Sequence, residues 1–430
     1  MTSAWDADVI VVGAGPGGAA AAHYLAATGV AVLLLEKATF PRDKVCGDGL
    51  TPRTVRELIA MGVPIPQEDG WIRNRGLRVI GGSHRLELDW PELASFPDFG
   101  LARTRSSLDA ILARHARASG ATLLEGTTVT GPVTDDRSGR IVGVTARATA
   151  AGSRGEPGAE QVFRAPVVIA ADGVSARLAT AMGVEKRLNR PMGVAVRTYF
   201  RTPRHDDEWM ESHLELWDGA PGASALLPGY AWIISLGDGT ANVGVGSVSS
   251  RARATGLDYR DLFARWAANT SPEWGFTPEN QVGALRGAAL PMAFNRTPHY
   301  TRGLLLVGDA GGMTSPFNGE GIAYAMQAGR VAADVVAQAL ARSTPQGRER
   351  ALQTYADQMR ADLGGYYALG RMFVRLIEHP QVMRVCTRYG LPRPTLMRFT
   401  MKLLADAYER RGGDVMDRVI TALTKIVPAA

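Results

Sequence analysis

The sequence predicts a mixed α/β fold with two domains and a helical C-terminal region. Three observations support this: an apolar run that leads into a glycine-rich turn, a later stretch of alternating segments, and a helical pattern from Gln346 onward. The length of 430 residues suits two domains with an appendage, and 46% hydrophobic with 21% charged residues is typical of a globular chain.

A glycine-rich turn follows the first predicted strand. The run Val9 to Val12 is short, apolar and rich in β-branched residues, as in a strand that is covered on both faces. The next residues follow the G-x-G-x-x-G spacing of a Rossmann-type turn, and they are Gly13, Ala14, Gly15, Pro16, Gly17 and Gly18. This spacing predicts a pyrophosphate site at the N-terminus of a helix from Gly18 to Thr28.

An acidic residue ends the second predicted strand. Val30 to Leu35 repeats the apolar pattern and is followed by Glu36, 23 residues after Gly13. A carboxylate at this distance accepts hydrogen bonds from the hydroxyl groups of an adenine ribose and repels a 2′-phosphate. Strand, turn, helix, strand and acid together predict a nucleotide site that disfavours NADP. The alternative is a structural βαβ unit without a ligand.

Two more segments near the start of the chain are candidates for the same site. The loop after Glu36 contains Lys37, Lys44 and the stretch Cys46-Gly47-Asp48-Gly49, and it either approaches the ring of a bound cofactor or is an ordinary surface loop. Arg105 opens a helix predicted to Ser119, where a cation opposes the helix dipole unless it contacts a phosphate. A solvated arginine is the alternative.

Two later strands end in a pair of aspartate and glycine. Pro166 to Ala171 ends in Asp172-Gly173, and residues 304–307 end in Gly308-Asp309. Ligands of α/β sheets gather at such carboxyl ends. A second helix N-terminus, which offers further N–H donors, is predicted before a helix to Ala341, at Pro316, Gly319, Glu320, Gly321 and Ile322.

The stretch from Asn189 to Val248 changes to the alternating pattern of antiparallel strands. Its predicted strands are Gly193 to Phe200, His213 to Trp217, Tyr230 to Leu236 and Ala241 to Val248, and two more occupy Gly76 to Trp90. Its aromatic residues, Tyr230 and Trp232 among them, either face a ligand or form the domain core. Between the two regions a hairpin tip is predicted at Ala150 to Glu160.

The basic residues concentrate at the C-terminus. Residues 371–430 contain nine arginines and two lysines against five acidic residues, which accounts for the whole net charge of +6. Helices predicted at Leu396 to Arg410 and Val415 to Ile426 interleave apolar and basic positions, as helices at a membrane interface do. An anionic membrane surface is therefore favoured over nucleic acid, for which there is no motif. A helical cap or a dimer interface is the alternative.

Cysteine content and hydropathy indicate where in the cell the protein is expected. The two cysteines, Cys46 and Cys386, are too few for a disulfide framework or a zinc site, and we predict no metal. The sequence has neither a secretory signal nor an apolar stretch long enough to cross a bilayer. We therefore expect a cytoplasmic protein that lies on the inner face of the cell membrane.

Three of these motifs, in this order, resemble the FAD-dependent oxidoreductases of the p-hydroxybenzoate hydroxylase type: residues 13–18 with Glu36, the pair Asp172-Gly173, and the pair Gly308-Asp309. The resemblance implies an FAD cofactor bound by a Rossmann-type FAD-binding domain, with an inserted antiparallel-sheet substrate domain and a C-terminal helical region. It also implies that Asp309 binds the ribityl chain, that Gly319 to Ile322 cradle the isoalloxazine, and that Arg105 faces the pyrophosphate. The domains are placed at 1–70, 100–186 and 295–345 for FAD, at 71–99 and 187–294 for substrate, and at 346–430 for the helices.

Two segments narrow the resemblance to the geranylgeranyl reductase family: Pro41 to Leu50, and Gly229 to Ile234 with residues 243–246. The basic C-terminal helices resemble those of the bacterial menaquinone-reducing branch of that family. The family saturates isoprenoid double bonds, so the resemblance implies a lipid-soluble isoprenoid substrate. Tyr230 and Trp232 are implied to line its channel, and Cys46 and Gly47 to border the flavin. Lysines make up only five of the 48 Lys and Arg residues, a usage typical of G+C-rich bacteria that favours menaquinone over chlorophyll.

Several alternatives stay open. An aromatic hydroxylase or monooxygenase uses the same fold, and so do halogenases, which this chain matches only at Trp232 and Ile234. A reductase of geranylgeranyl lipids or diphosphate, and a flavin-bearing membrane scaffold without activity, are further possibilities. The sequence identifies neither the proton donor nor the electron donor.

Overall fold

The computed structural model describes residues 5–149, 158–249 and 256–427. The hairpin tip predicted at 150–160 lies mostly outside these residues. The strands are β1 Val9–Val12, β2 Val32–Leu35, β3 Gly49–Leu50, β4 Ile72–Asn74, β5 Gly76–Gly81, β6 His84–Asp89, β7 Gly100–Ala102, β8 Thr122–Leu124, β9 Thr127–Thr134, β10 Ile141–Ala148, β11 Gln161–Arg164, β12 Val167–Ala170, β13 Met192–Arg201, β14 Trp209–His213, β15 Gly229–Ser235, β16 Thr240–Ser249, β17 Gln281–Pro291, β18 Tyr300–Thr301 and β19 Leu304–Leu306. The helices are α1 Pro16–Ala27, α2 Pro52–Ala60, α3 Arg105–Ala118, α4 Arg177–Ala181, α5 Tyr259–Ala268, α6 Ile322–Leu340, α7 Pro345–Ile377, α8 Pro380–Val385, α9 Pro394–Leu404 and α10 Val415–Ile426.

The first domain is built on a largely parallel sheet. In the described part of the chain its strand order is β18-β19-β12-β1-β2-β8, and every pair is parallel except β18 with β19. The short runs in β1, β2 and β12 are buried on both faces. One face packs on helices that include α1 and α6, and the other packs on α4 and the antiparallel sheet β11-β10-β9. Helix α1 begins at Pro16, two residues earlier than predicted, since proline suits the first helical turn.

The second domain is a sheet in the order β17-β13-β16-β15-β14-β5-β6. The predicted antiparallel arrangement is wrong for one pair, because β14 runs parallel to β5, which comes from a separate insertion. The strand predicted at His213 to Trp217 is also wrong: β14 ends at His213, and Trp217 makes only an isolated bridge to Leu226. Strand β17 is rich in glycine and alanine, so its sequence lacks the alternation that predicts a strand.

The C-terminal helices pack on both domains. The first half of α7 contributes Leu352, Tyr355 and Met359 to the core of the first domain, so that core extends beyond residue 345. Helix α9 contributes Met397 and Met401 to an apolar cluster beneath the second sheet. The prediction of a helix to Arg410 is wrong.

Helix α9 ends at Leu404 because the chain turns shortly afterwards at Asp406. This residue has a left-handed φ of 48°, and its buried carboxylate pairs with Arg53 of α2 at 2.7 Å. No helix among residues 5–149, 158–249 and 256–427 combines the length and the apolarity needed to cross a bilayer.

Candidate cofactor and substrate site

The glycine-rich turn after β1 forms a tight cradle that is open at one point. A Cβ on Gly13 would lie 2.4 Å from the carbonyl oxygen of Ala171, and one on Gly18 would lie 1.8 Å from that of Gly13. A Cβ on Gly15 would meet only Arg42 Nη2, at 3.8 Å. No side chain caps the N-terminus of α1, so its first N–H groups are free for an anion. This cradle fits a pyrophosphate.

Glu36 braces the turn from the end of β2. Its Oε2 accepts a hydrogen bond from the Ala14 N–H at 2.9 Å, and its Oε1 accepts one from the Ala38 N–H at 3.0 Å. Arg42 Nε lies 3.5 Å from Oε1. Lys37 is exposed beside it, and its carbonyl accepts a hydrogen bond from the Thr149 hydroxyl at 2.7 Å. The carboxylate is thus held where the ribose contact is predicted.

Two arginines share one buried carboxylate next to the turn. Arg105 contacts Asp109 through Nε and Nη2, both at 2.8 Å, and Arg42 Nη1 contacts the same side chain at 2.8 Å. Burial acts to raise the pKa of Asp109, but the Arg105 guanidinium outweighs it and the pKa is lowered. The Arg105 guanidinium is thus hydrogen-bonded to Asp109. Arg42, which the sequence did not single out, lies beside Gly15.

The Gly308-Asp309 pair meets the loop after β2. Lys44 Nζ lies 3.3 Å from Asp309 Oδ2, and the Thr314 hydroxyl donates to Asp309 Oδ1 at 3.2 Å. The Asp309 side chain is 19% exposed, so it keeps acceptor capacity on an accessible side. Gly308 has a φ of 65° and lies close to Ala325 of α6. Lys44 and Asp309, far apart in sequence, therefore lie at one edge of the site.

Asp172 and Glu320, which are also predicted site residues, accept hydrogen bonds from other groups of the protein. Asp172 Oδ2 accepts hydrogen bonds from the N–H groups of Arg177 and Leu178, at 2.7 and 3.4 Å. Glu320 Oε1 accepts hydrogen bonds from the hydroxyls of Thr51 and Thr54, at 2.7 and 2.8 Å. Burial raises the pKa of both carboxyl groups. Both side chains thus have structural partners, and their contact with a cofactor stays a prediction.

The loop before α6 leaves a second helix N-terminus free. Gly321 precedes Ile322 at the start of α6 without a side-chain cap, and Gly319 has a φ of 75°. Pro316 is covered by α7, because a Cβ on Gly370 would lie 2.3 Å from its Cγ. Within this loop the Gly319 N–H donates to the Ser315 carbonyl at 3.1 Å and the Glu320 N–H donates to Asn318 Oδ1 at 3.0 Å, so the predicted isoalloxazine cradle relies on the N–H groups of Gly321 and Ile322.

A buried aspartate ties the loop after β2 to the second sheet. Asp48 is fully buried with a φ of 63°, and it accepts hydrogen bonds from the Arg105 N–H, the Tyr199 hydroxyl and the Asn242 amide at 2.9, 2.8 and 2.8 Å. Burial raises its pKa to about 6, against the opposing effect of the Asn242 and Tyr199 hydrogen bonds. We call Asp48, Tyr199 and Asn242 the Asp48 cluster.

The Asp48 cluster also holds the predicted channel residues. Asn242 donates to the Cys46 carbonyl at 2.8 Å and accepts from Trp232 Nε1 at 2.9 Å. A Cβ on Gly47 would lie 3.2 Å from the same Trp232 nitrogen, so this loop and β15 are in direct contact. Sequence reasoning included Asp48 only as part of the loop after Glu36 and missed Asn242. The available signal for Asn242 was a lone amide within the apolar strand Ala241 to Val248.

Tyr230 links the second sheet to the loop before α6. Its hydroxyl donates to the carbonyl of Asn318 at 2.6 Å, and burial raises its pKa to about 12. Tyr230 and Trp232, whose ring centroids are 6.0 Å apart, belong to one apolar cluster with Met397 and Met401 of α9. An apolar cluster of largely buried side chains therefore connects the loops of the first domain to helix α9.

Comparisons with known proteins agree with this geometry. Residues 6–363 match the family described as the FAD binding domain. The chain belongs to this family of FAD-binding proteins, and within it to the group of geranylgeranyl and menaquinone reductases.

Its relatives include a menaquinone reductase of Mycobacterium tuberculosis, 37% identical over 96% of this chain and 94% of the relative. A digeranylgeranylglycerophospholipid reductase of Methanocella arvoryzae is 30% identical over 83% of each chain. The fold is that of a geranylgeranyl bacteriochlorophyll reductase-like protein from Thermoplasma acidophilum, with a TM-score of 0.74, 22% identity, and coverage of 97% of this chain and 99% of the other. The family resemblance, the fold class and FAD as cofactor are thus confirmed.

Proposed function

We propose that this protein is an FAD-dependent reductase that saturates an isoprenoid double bond in the prenyl tail of menaquinone. The observation that carries the proposal is the apolar cluster of Tyr230 and Trp232. It lies between the loop at Cys46-Gly47 and helix α9. Menaquinone reductases 37% and 34% identical over 96% of the chain support the choice of substrate.

The residues of the first domain hold the cofactor in this proposal. The turn at residues 13–18 and Arg42 bind the pyrophosphate, Glu36 binds the ribose, and Asp309 with Lys44 binds the ribityl chain. The N–H groups of Gly321 and Ile322, at the start of α6, would face the isoalloxazine. When bound and reduced, FAD supplies the hydride for the alkene.

In the second domain, Tyr230 and Trp232 supply aromatic rings whose polar atoms already have partners within the protein. The polar atoms of Tyr230 and Trp232 are already hydrogen-bonded to Asn318 and Asn242, so these rings can present apolar surface to a prenyl chain. Burial of Trp232 excludes water from the contact with Gly47. This arrangement suits an alkene that lacks polar groups better than an aromatic acid or phenol.

We also infer that the protein lies on the cytoplasmic face of the cell membrane through its C-terminal basic helices. This segment has large apolar side chains that are exposed, namely Val385, Tyr389, Leu396, Val415, Val419 and Ile426. They alternate with the arginines counted in the sequence, and exposed apolar residues among cations are the pattern of an interfacial segment. At this location the protein has direct access to a substrate that resides in the bilayer.

The proposal is tested by mass spectrometry of the quinone pool in cells with and without the gene. We expect the deletion strain to lack the menaquinone species that carries two additional hydrogens, and we expect complementation to restore it. Growth without oxygen separates the rival aromatic hydroxylase, which needs oxygen. An unchanged menaquinone profile in the deletion strain would refute the proposed substrate.

A further inference from the structure

Four arginines from two separate segments form a cluster on the surface beside the C-terminal region. Two lie before β13 and two lie one turn apart on α7; they are Arg187, Arg190, Arg371 and Arg375. Burial first, and then the neighbouring charges of the other three arginines, lower the pKa of Arg371 to about 10. We call this set the arginine cluster.

The arginine cluster lacks the carboxylates that normally neutralise such groups. Among the residues that the structure describes, none of its four members forms a salt bridge within 4.0 Å. Arg190 Nε and Arg371 Nη1 are buried and have no hydrogen-bond partner. Buried donors without partners and adjacent like charges both cost stability, and a bound anion removes both costs.

Exposed apolar side chains are sequence neighbours of three members of the arginine cluster. Leu188 is 69% exposed, and Met372 and Leu376 on α7 are 48% and 56% exposed. Each of them is adjacent in sequence to a member of the cluster. A soluble anion or an acidic protein surface needs no such neighbours, whereas a phospholipid offers a phosphate next to hydrocarbon.

The cluster also lies close to the proposed ring site. Gly370 contacts Pro316 and Phe317 of the loop before α6, and Arg371 is the next residue. Phe373 packs on Phe317 with a centroid distance of 5.3 Å. A lipid headgroup held here would place the bilayer beside the loop that the proposal assigns to the isoalloxazine.

We propose that the arginine cluster binds the phosphate group of an anionic phospholipid and that Leu188, Met372 and Leu376 enter the bilayer around it. The planar guanidinium group pairs with phosphate through two parallel hydrogen bonds, which suits the unpaired nitrogens of Arg190 and Arg371. This inference rests on the proposed membrane location. It adds a defined headgroup site to the general attraction of the C-terminal helices.

The test is cosedimentation of the FAD-loaded protein with vesicles of phosphatidylcholine containing one-fifth phosphatidylglycerol. We expect Arg190→Gln/Arg371→Gln to bind about 30-fold more weakly than the wild type, since two cations are lost at an anionic surface. The control, Arg350→Gln/Arg360→Gln, removes the same charge from exposed positions of α7 and should bind within about twofold of the wild type. Equal losses in both double variants would overturn the proposal.

Two further arms separate the alternative ligands. If inorganic phosphate raises the melting temperature of the wild type but not of the Arg190/Arg371 variant while vesicle binding is the same, the site binds free phosphate and the proposal fails. If the variant loses affinity for an acidic ferredoxin but not for vesicles, the surface docks an electron donor and the proposal fails. Reduction of the prenyl tail of menaquinone by the wild type in detergent micelles tests the proposed reductase activity separately from this site.

Discussion

The two ends of the proposed cofactor site are built in different ways. At the pyrophosphate end, the turn from Gly13 to Gly18 uses backbone groups and the absence of side chains, and its neighbours come from adjacent strands. At the ring end, the loop at Cys46-Gly47 is held by side chains of the second domain through the Asp48 cluster. The first end depends on local shape, and the second depends on a few hydrogen bonds between domains.

This difference predicts different responses to mutation. Adding a carbon atom at the pyrophosphate end should be severe at Gly13 and Gly18, where backbone atoms leave no space. Changing a hydrogen-bonding group should be milder at the ring end and should affect turnover more than FAD content. The following variants test this contrast, from the largest expected effect to the smallest.

The largest effect is expected for Gly18→Ala. Its Cβ would lie 1.8 Å from the Gly13 carbonyl oxygen, so the turn and α1 must move apart. We expect a loss of stability of about 3 kcal/mol or more in urea unfolding, with loss of bound FAD. The matched control is Gly15→Ala, whose Cβ meets only Arg42 at 3.8 Å; it should fold normally and bind FAD more weakly. Equal stability of the two variants would contradict the account of the turn.

A pH dependence follows from the buried carboxyl group of Asp48. Its pKa is raised from 3.8 to about 6 in the folded protein, so the folded state holds its proton more tightly than the unfolded state. The wild type should therefore lose about 3 kcal/mol relative to Asp48→Asn as pH rises from about 4 to about 6, and the difference should then stay constant. Urea unfolding at several pH values measures it. A difference that grows in favour of the wild type over this range would contradict the raised pKa.

Asp48→Asn itself should separate FAD binding from turnover. At pH 7 the amide retains the shape of the carboxyl group but replaces one acceptor with a donor. This donor faces either the Tyr199 hydroxyl and the Asn242 amide, which both donate to Oδ2, or the Arg105 N–H, which donates to Oδ1. We expect a change in unfolding free energy of about 1–3 kcal/mol, unchanged FAD content and slower reduction of substrate. Asp136→Asn, in an exposed turn, is the control and should leave all three quantities unchanged. Loss of FAD together with turnover would show that the two ends are not independent.

The smallest effect is expected for Tyr199→Phe. This variant removes one of three donors to Asp48 and leaves the Arg105 N–H and the Asn242 amide in place. We expect a loss of about 1 kcal/mol, measured by urea unfolding, and a further rise in the pKa of Asp48. Tyr389→Phe, at an exposed position, serves as the control. A loss as large as that of Gly18→Ala would refute the contrast between the two ends.

The same contrast explains how much the sequence could predict. The turn, β1, β2 and Glu36 were predicted because the pattern that places them is continuous in the chain, and the structure has these elements where they were expected. The pair Gly308-Asp309 was noticed for the same reason, because it directly follows a buried strand. Local patterns of this kind report backbone geometry well.

The contacts that hold the ring end could not be predicted because they join distant segments. Asp48 meets Tyr199 and Asn242 only after the second sheet has formed, and no spacing in the chain records that contact. The attachment of α9 through Arg53 and Asp406 is equally remote, and it ended the helix earlier than its apolar and basic pattern predicted. Strand β14 was misplaced because its pairing with β5 depends on a second insertion.

The most direct test of the central claim is an anaerobic reaction of the purified, dithionite-reduced FAD protein with menaquinone in detergent. We expect the flavin absorbance to return as the quinone gains two hydrogens in its prenyl tail, and we expect no reaction with menaquinone whose tail is already saturated. Flavin that stays reduced with the unsaturated substrate, or that is reoxidised equally by both quinones, would contradict the proposed function.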